Sequence, residues 1–495
     1  MAQNHNIHKE GNEIVRFSML NYFGVLIGIF SNLFIYTTNE EFLGILRYFE
    51  SLAYFICLII LMGVSSSLIK FSPKLKENSN IKLFSYSLLT IFRNAIIVFL
   101  VLFLGVDLFS NYLKFEFIYF SFFLAFIFAG IDLIKKQLTI YKKIAFPSVL
   151  DNLLPKLVLP SIFILLYFSF LQSNVSGISL YIISYLFIVI ILTFFAFKRH
   201  AFGFTFDYKS IFKNFSKREY FEYSLFALAG SLGYLFVFKL DTLMIPNLIS
   251  YKANGIYSIA VVAASVIYIP ARGLFSLYGP KVSSMIAEKQ FEALNKSYKA
   301  ISKTLLFLGL LIYSCIFLGI EMLFQLLPSK DLLSETISVI FIIGATSVFN
   351  MATSFNSEII NYSRFYRFNI MALLVLTLFN LAANYFFIVF LNMGIEGAAL
   401  ASLLSIIIYN ISKLVFIYFR LNLFPFDLTF FKLLLLQLFL MLLFYLSPDL
   451  TNHVLNFIFK VGGVLFCQLF LIYKLNWVPI YTKYFERFFY KLRLK

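Results

Sequence analysis

Within its long apolar runs this 495-residue sequence carries few ionisable side chains: the cations Arg93, Lys156, Lys239 and Lys460, and the anions Asp241 and Glu321. A charge in hydrocarbon is costly unless it faces a cavity or a partner, so each is a functional candidate. The excess of cations suits an anionic cargo such as a pyrophosphate head, because Lys and Arg stabilise phosphate through charge-assisted hydrogen bonds. Lys156 lies about ten residues past Phe146, which puts it about 15 Å into its run at helical rise. Pro155 and Pro160 flank it, loosening helix hydrogen bonds where a cavity would tolerate that. Arg93 is about two turns from a cytoplasmic end, within reach of snorkelling. Lys239 and Asp241 are two apart, so they point to different sides of a helix, and pairing with other helices competes with a binding role. Asp241 and Glu321 are candidates for ion coupling or for structural pairing, and Lys460 for a structural or interfacial role. A pump for cationic drugs would carry membrane-embedded carboxylates in its first half. Apart from Asp132 near a cytoplasmic end and Asp151, that half is expected to hold none that is deep.

Groups for chemistry in water are missing. His5, His8, His200 and His453 all lie away from span interiors, and Cys57, Cys315 and Cys467 form no CxxC pair, so neither a disulfide frame nor a zinc site is supported. No P-loop, HExxH or GxSxG occurs. The sequence predicts no enzyme, no metal and no cofactor, with H+ or Na+ as a possible coupling ion.

The elements that must position these residues are membrane helices. Hydrophobic residues make up 61% and charged residues 13%, against about 25% charged in soluble domains, and the mean hydropathy is +0.87. In lipid the 66 Phe and 31 Tyr can face acyl chains and headgroups. Windows of about 20 residues, enough to cross about 30 Å of hydrocarbon, predict fourteen spans. They lie near 17–37, 50–69, 87–106, 115–134, 149–171, 177–197, 223–246, 255–278, 303–327, 335–355, 369–391, 397–419, 431–447 and 454–473. Barrel-strand alternation is absent, so helices are the expected spanning structure. The polar start, Met1 to Glu13, leads into an apolar run without a cleavage-like site, so a retained helix is expected rather than a signal peptide.

With both termini cytoplasmic, 33 Lys and Arg fall in cytoplasmic segments and 4 (Arg47, Lys114, Lys252 and Lys330) in outer loops. That split predicts a multi-pass bacterial inner-membrane protein with inside termini. It also accounts for the net charge of +17 without nucleic acid, since no continuous basic domain exists. The longest loop is about 25–30 residues, too short for a soluble catalytic domain.

The two halves echo each other. Asn39-Glu-Glu-Phe-Leu-Gly44 precedes a helix ending at Phe71-Ser-Pro73-Lys74, and Tyr251-Lys-Ala-Asn-Gly255 precedes one ending at Tyr278-Gly-Pro280-Lys281. Six intervening helices make this a parallel repeat, a design found in transporters. Lys239-Leu-Asp241-Thr-Leu-Met-Ile245 with Asn254-Gly255-Ile-Tyr257, and Asn380-Leu-Ala-Ala-Asn384 leading to Gly394-Ile-Glu396-Gly397-Ala398-Ala399, resemble polysaccharide flippases. These belong to the multidrug/oligosaccharidyl-lipid/polysaccharide (MOP) exporter superfamily. Read from the residues alone, Gly394 and Gly397 permit a tight turn, and the following small residues give a close-packing face.

The resemblance implies an all-α, MATE-like membrane protein. It would have two pseudo-symmetric six-helix bundles, 1–222 and 223–426, and two further helices with a basic tail, 427–495. It implies a flippase that moves a polyprenyl-diphosphate-linked oligosaccharide from the cytoplasmic to the outer leaflet by alternating access, for O-antigen or capsule-type polysaccharide. Such flippases resemble one another in placing cations on the cavity side of the first, second and eighth helices. Arg16, Arg47 and Arg272 are thereby candidates to hold the diphosphate, with loop-end charge as the alternative, beside Lys156, Arg93 and Lys239. Implied partners are membrane lipids, a polysaccharide polymerase and glycosyltransferases. A cation-coupled multidrug antiporter of the same fold is the first rival, and a glycan polymerase or ligase the second.

Overall fold

The computed structural model describes residues 24, 26–75, 79–109, 117–141, 145–199, 201–207, 209–479, 481, 482 and 486. All regular structure among them is helical. In chain order the helices are α1 (Leu26–Thr38), α2 (Glu40–Leu61), α3 (Val64–Phe71), α4 (Asn80–Phe109), α5 (Ile118–Ile140), α6 (Ala145–Tyr167), α7 (Asn174–Lys198) and α8 (Lys217–Leu248). There follow α9 (Tyr251–Ser265), α10 (Ile269–Ala287), α11 (Phe291–Gln325), α12 (Lys330–Ser334), α13 (Ile337–Ala352), α14 (Asn356–Tyr362) and α15 (Tyr366–Tyr385). The last are α16 (Gly394–Leu421), α17 (Leu428–Tyr445), α18 (His453–Phe457) and α19 (Gly463–Leu475).

Each of the fourteen expected spans falls on a helix, the first in its described part. Among the described residues ten helices are long and apolar enough to cross a membrane; α13 and α14 together make a further candidate span, bent by 45°. α1 and the Leu153–Tyr167 part of α6 are shorter apolar helices, and α8 fills the remaining place. The chain is an all-α multi-pass membrane protein. It forms two compact units, Met1–Gly255 and Ile256–Lys495.

In the first unit the second span begins earlier than hydropathy predicts. Asn39 caps α2, its Oδ1 accepting from the Phe42 N–H at 2.9 Å, and Glu40 and Glu41 in the first turn favour the positive end of the helix dipole. The span breaks at Met62 and Gly63, both left-handed (φ 41° and 74°), and resumes as α3. At Gly63 a Cβ would lie 2.0 Å from the Ser224 carbonyl oxygen, so glycine serves both the turn and the close approach of α8.

From there α8 runs antiparallel along the whole span. Ser224 bonds Ser67 (2.7 Å), Lys239 faces Tyr54, and Thr242 bonds Ser51 (2.7 Å). At the far end the start of α9 crosses α2 at Gly44, whose carbonyl accepts from Asn254 Nδ2 at 2.8 Å. A Cβ on Gly44 would sit 1.8 Å from the Tyr251 carbonyl oxygen, and one on Gly255 1.9 Å from that of Glu40. The contact is reciprocal: each glycine meets the carbonyl four residues before the other.

In the second unit α11 forms the spine of the core, with Tyr298, Ile301, Leu305 and Phe307 buried against α13, α14 and α17. The small-residue signature after Gly394 is packed as its composition suggests. Gly394 takes φ +57°, and Ala398, Ala399 and Ala401 are fully buried. Asp427 caps α17 through the Phe430 N–H (2.8 Å) and ties it to α11 through Lys303 (2.9 Å).

Partial burial would raise the Asp427 pKa. The Lys303 and Phe430 hydrogen bonds and the nearby lysine charges outweigh that and hold it below its ordinary value. A depressed folded-state pKa contributes stability above the unfolded value of about 4, and that stability disappears as pH falls through the folded one. Asp427→Ala is therefore expected to cost about 1 kcal/mol at neutral pH. The difference from the parent protein should shrink in melting curves as the pH is lowered below the ordinary aspartate value and through the depressed one.

Candidate functional site

Arg47, Glu50 and Tyr54 recur at i, i+3 and i+7 on α2, so they share one face. Glu50 is only 6% exposed, and both of its oxygens are engaged: Oε2 accepts from Arg47 Nη1 at 2.9 Å, and Oε1 from the Tyr181 hydroxyl of α7 at 2.8 Å. Tyr185, one turn further along α7, places its hydroxyl 3.3 Å from that of Tyr181. Lys239 of α8 lies over the Tyr54 ring, 5.3 Å from its centroid, and interacts electrostatically with both Glu50 and Arg47. Two basic side chains therefore gather about one carboxylate in a buried cluster. Buried ions are retained at such a cost only where hydrogen bonds satisfy them.

Tyr54 is also part of the wall of a cavity of about 300 Å³. α2 supplies Tyr54, Cys57, Leu58 and Leu61, and α3 supplies Ser65 and Ser66. α5 contributes Phe128, Ile131, Asp132, Lys135 and Lys136 at helical spacing, and α8 contributes Leu228 and Ser231. Phe128 stacks on Tyr54 at 4.6 Å, so an aromatic pair stands where cavity and cluster adjoin. Two lysines again face one aspartate. A space of this size accommodates a small charged head, at the lower end of ligand pockets of about 300–1,000 Å³.

The expected site residues distribute as follows. Arg47 and Lys239 meet in the cluster: Arg47, an outer-loop charge by hydropathy, lies seven residues into α2. Lys156 is half-buried on α6, its side chain against the bare backbone of Gly24, where an added Cβ would come within 3.3 Å of its Nζ. Arg93 is exposed on α4, with Nη2 3.2 Å from Asn94 Oδ1. Asp241 is half-buried on a different face of α8 from Lys239. Glu321 is exposed four residues before the end of α11, and Arg272 is exposed on α10 in the second unit. Arg16 lies outside the described residues. Lys460 is buried and paired with Asp449 of the preceding loop at 2.7 Å. Among the described residues no three His, Cys, Asp or Glu side chains gather as a metal site.

Sequence reasoning missed several groups. The expectation of no deep carboxylate in the first half fails at Glu50, which lies ten residues inside α2 because the helix starts at Glu40. The Asn39-Glu40-Glu41 capping pattern was the available signal. Lys135 and Lys136 read as loop charges, yet they belong to α5 and reach the cavity. Lys413, counted with a cytoplasmic segment, is 2% exposed within α16. Its Nζ is 3.1 Å from Ser357 Oγ and 3.7 Å from the Tyr409 ring centroid. No periodicity in the sequence sets these lysines apart from solvated ones.

No family model matches the sequence, and no curated protein matches it. Its fold has solved counterparts. The chain is similar to the lipid II flippase MurJ in an inward closed conformation, with a TM-score of 0.67 at 15% identity over 93% of this chain and 99% of that one. It is also similar to an inward-facing multidrug resistance MATE family transporter of the MOP superfamily, with a TM-score of 0.61 at 15% identity over 81% and 94% of the two chains. A MATE protein in complex with MaL6 gives 0.53 at 14% identity over 83% and 96%. The likeness is one of fold, and it bears out the expected MATE-like architecture.

Proposed function

We propose that this protein is a membrane transporter of the flippase type, carrying an anionic lipid-linked cargo, a polyprenyl-diphosphate oligosaccharide, from the cytoplasmic to the outer leaflet by alternating access. The observation that carries this reading is the paired excess of cations in the first unit. Arg47 and Lys239 outnumber Glu50 in the buried cluster, and Lys135 and Lys136 outnumber Asp132 in the adjoining cavity. A diphosphate offers the charge and the acceptor oxygens that such donors favour. The serine hydroxyls of α3 and α8 add neutral donors, and the Tyr54–Phe128 pair adds an apolar face for a sugar ring. Outward movement of two negative charges is favoured by about 4–5 kcal/mol per 100 mV of inside-negative potential, so the membrane potential helps to drive export. Enzymes that assemble the oligosaccharide inside and polymerise it outside are the partners this role requires.

Glu50 favours the rival reading, a cation-coupled multidrug antiporter, because it is a membrane-embedded carboxylate in the first unit. Its charge is already matched by Arg47 at 2.9 Å and its other oxygen accepts from Tyr181, so it offers a cationic drug no unmatched negative charge. One assay separates the readings: proteoliposomes loaded with a fluorescent polyprenyl-diphosphate oligosaccharide, beside vesicles tested for efflux of a cationic dye. The wild type is expected to translocate the lipid and not the dye. Lys135→Gln/Lys136→Gln is expected to slow translocation at least about tenfold, the effect of losing one charge-assisted hydrogen bond, with the melting temperature unchanged. Lys156→Ala and Arg272→Ala are expected to impair translocation without loss of folding. Dye efflux without lipid movement would establish the antiporter instead.

A further inference from the structure

The cytoplasmic connector between α7 and α8 contains an extended strap, residues 201–207, whose backbone is fastened to the bundle. The Ala201 carbonyl accepts from Gln137 Nε2 of α5 at 3.0 Å, and the Thr205 N–H donates to Ser85 Oγ of α4 at 3.0 Å. Asp207 pairs with Lys82 of α4 at 2.5 Å, and the Phe202 ring meets Phe84 edge-on at 5.4 Å. Gly203 lies so close to α4 that a Cβ would approach Ile81 to 2.9 Å. A segment this well fixed nevertheless presents two aromatic rings outward. Phe204 is 47% exposed and Phe206 78%, with their rings in edge contact at 4.9 Å. α7, which precedes the strap in the chain, carries an exposed apolar stripe, Phe187, Ile190, Phe194 and Phe197, recurring at helical spacing to the end of that helix.

The charges of this region are one-sided. The carboxylates of the connector and of the first turns of α8 are each paired: Asp207 with Lys82, Glu219 with Lys74, and Glu222 with Arg218. Lys198, Arg199, Lys213 and Lys217 are exposed and have no carboxylate partner among the described residues. Two of them lean on rings of the flanking elements, Arg199 over Phe195 and Lys217 over Phe212. Exposed rings in a connector whose cations have no carboxylate partner among the described residues, following an apolar helix face, match the two layers of a membrane boundary: acyl chains for the rings and phosphates for the cations.

We propose that the strap and its four cations form a docking site for anionic phospholipid headgroups of the cytoplasmic leaflet, with Phe204 and Phe206 inserted at the acyl–headgroup boundary. The site rests on the inside orientation of this connector and is independent of which cargo the protein carries. It anchors the chain crossing from α7 to α8 to the bilayer surface, so the leaflet's lipid composition bears on both helices.

The 495 residues include one tryptophan, Trp477, so a Trp477→Phe, Phe206→Trp variant reports on the strap alone. In nanodiscs containing phosphatidylglycerol, the emission is expected to be blue-shifted and about half quenched by brominated acyl chains, as for a ring at the boundary. Native mass spectrometry of the parent protein should show retained phosphatidylglycerol. Lys213→Gln/Lys217→Gln should weaken that retention by about fivefold per charge removed. If the reporter variant does not fold, the mass-spectrometric comparison decides alone. Emission characteristic of water and insensitive to brominated lipid would overturn the proposal, because the rings would then face solvent or another protein. Equal retention of phosphatidylcholine, or retention unchanged by the lysine substitutions, would overturn the anionic-lipid assignment. Neither readout requires transport, so failure here is distinct from failure of the flippase reading.

Discussion

Glu50→Ala is expected to destabilise the protein by about 3–5 kcal/mol, the cost of leaving buried charges without their counter-ion. Arg47 loses its carboxylate at 2.9 Å, Tyr181 loses its acceptor, and Lys239 loses the one negative charge it interacts with in the cluster. The size of the effect comes from what remains rather than from the bond removed. A buried ion pair replaced as a whole by apolar residues of similar volume is often neutral. The triple substitution Arg47→Met/Glu50→Leu/Lys239→Met should accordingly recover most of the lost stability, while cargo translocation stays abolished. Denaturation of the purified protein in detergent, run beside the translocation assay, measures both. A single mutant that melts like the parent would mean that water reaches the cluster and screens it.

Gly44→Ala and Gly255→Ala should each cost at least about 3 kcal/mol, the upper end of the range for overpacking. The added methyl would lie 1.8 or 1.9 Å from a backbone carbonyl oxygen, and no side-chain rotation can relieve that. Only separation of α2 from the first turn of α9 can. Separation would also break the Asn254 bond to the Gly44 carbonyl and the Lys252–Glu40 pair at 3.4 Å. Gly230→Ala on α8 is the control. Nothing lies within 4 Å of its added Cβ, and removing a helical glycine should stabilise by about 0.5–1 kcal/mol. Reduced yield and lowered melting for both Gly44 and Gly255 variants, with none for Gly230, would confirm the crossing. Parent-like melting in the first two would show that the helices do not approach so closely.

The helices were legible in the sequence because hydropathy over 20 residues is a local quantity, and every window found its helix. Their ends were less legible. α2 begins ten residues before its window because Asn39, Glu40 and Glu41 are polar, yet they start the helix rather than precede it. That shift hid the main feature of the candidate site, since it turned Glu50 from an edge residue into a buried one and Arg47 from a loop charge into its partner. Lys135, Lys136 and Lys413 were misplaced for a related reason. A lysine near the end of an apolar run looks the same whether the neighbouring helix leaves it in water or covers it, and only packing distinguishes the cases. Lys239 stood out correctly as an ion within a span, but nothing local tied it to α2. The antiparallel course of α8 along α2 and α3 makes that connection.

The reciprocal crossing of Gly44 and Gly255 has a consequence for how such a chain changes over generations. The two glycines hold corresponding places in the internal repeat, so each side of the crossing is a copy of the other, as in an isologous contact between identical subunits. In a homodimer of unfused halves, one codon would specify both glycines, and any substitution there would strike the crossing twice. In the fused chain the two codons mutate separately. A substitution then strikes one side of the crossing at a time, and the flanking residues already differ between the copies, Glu40 pairing with Lys252.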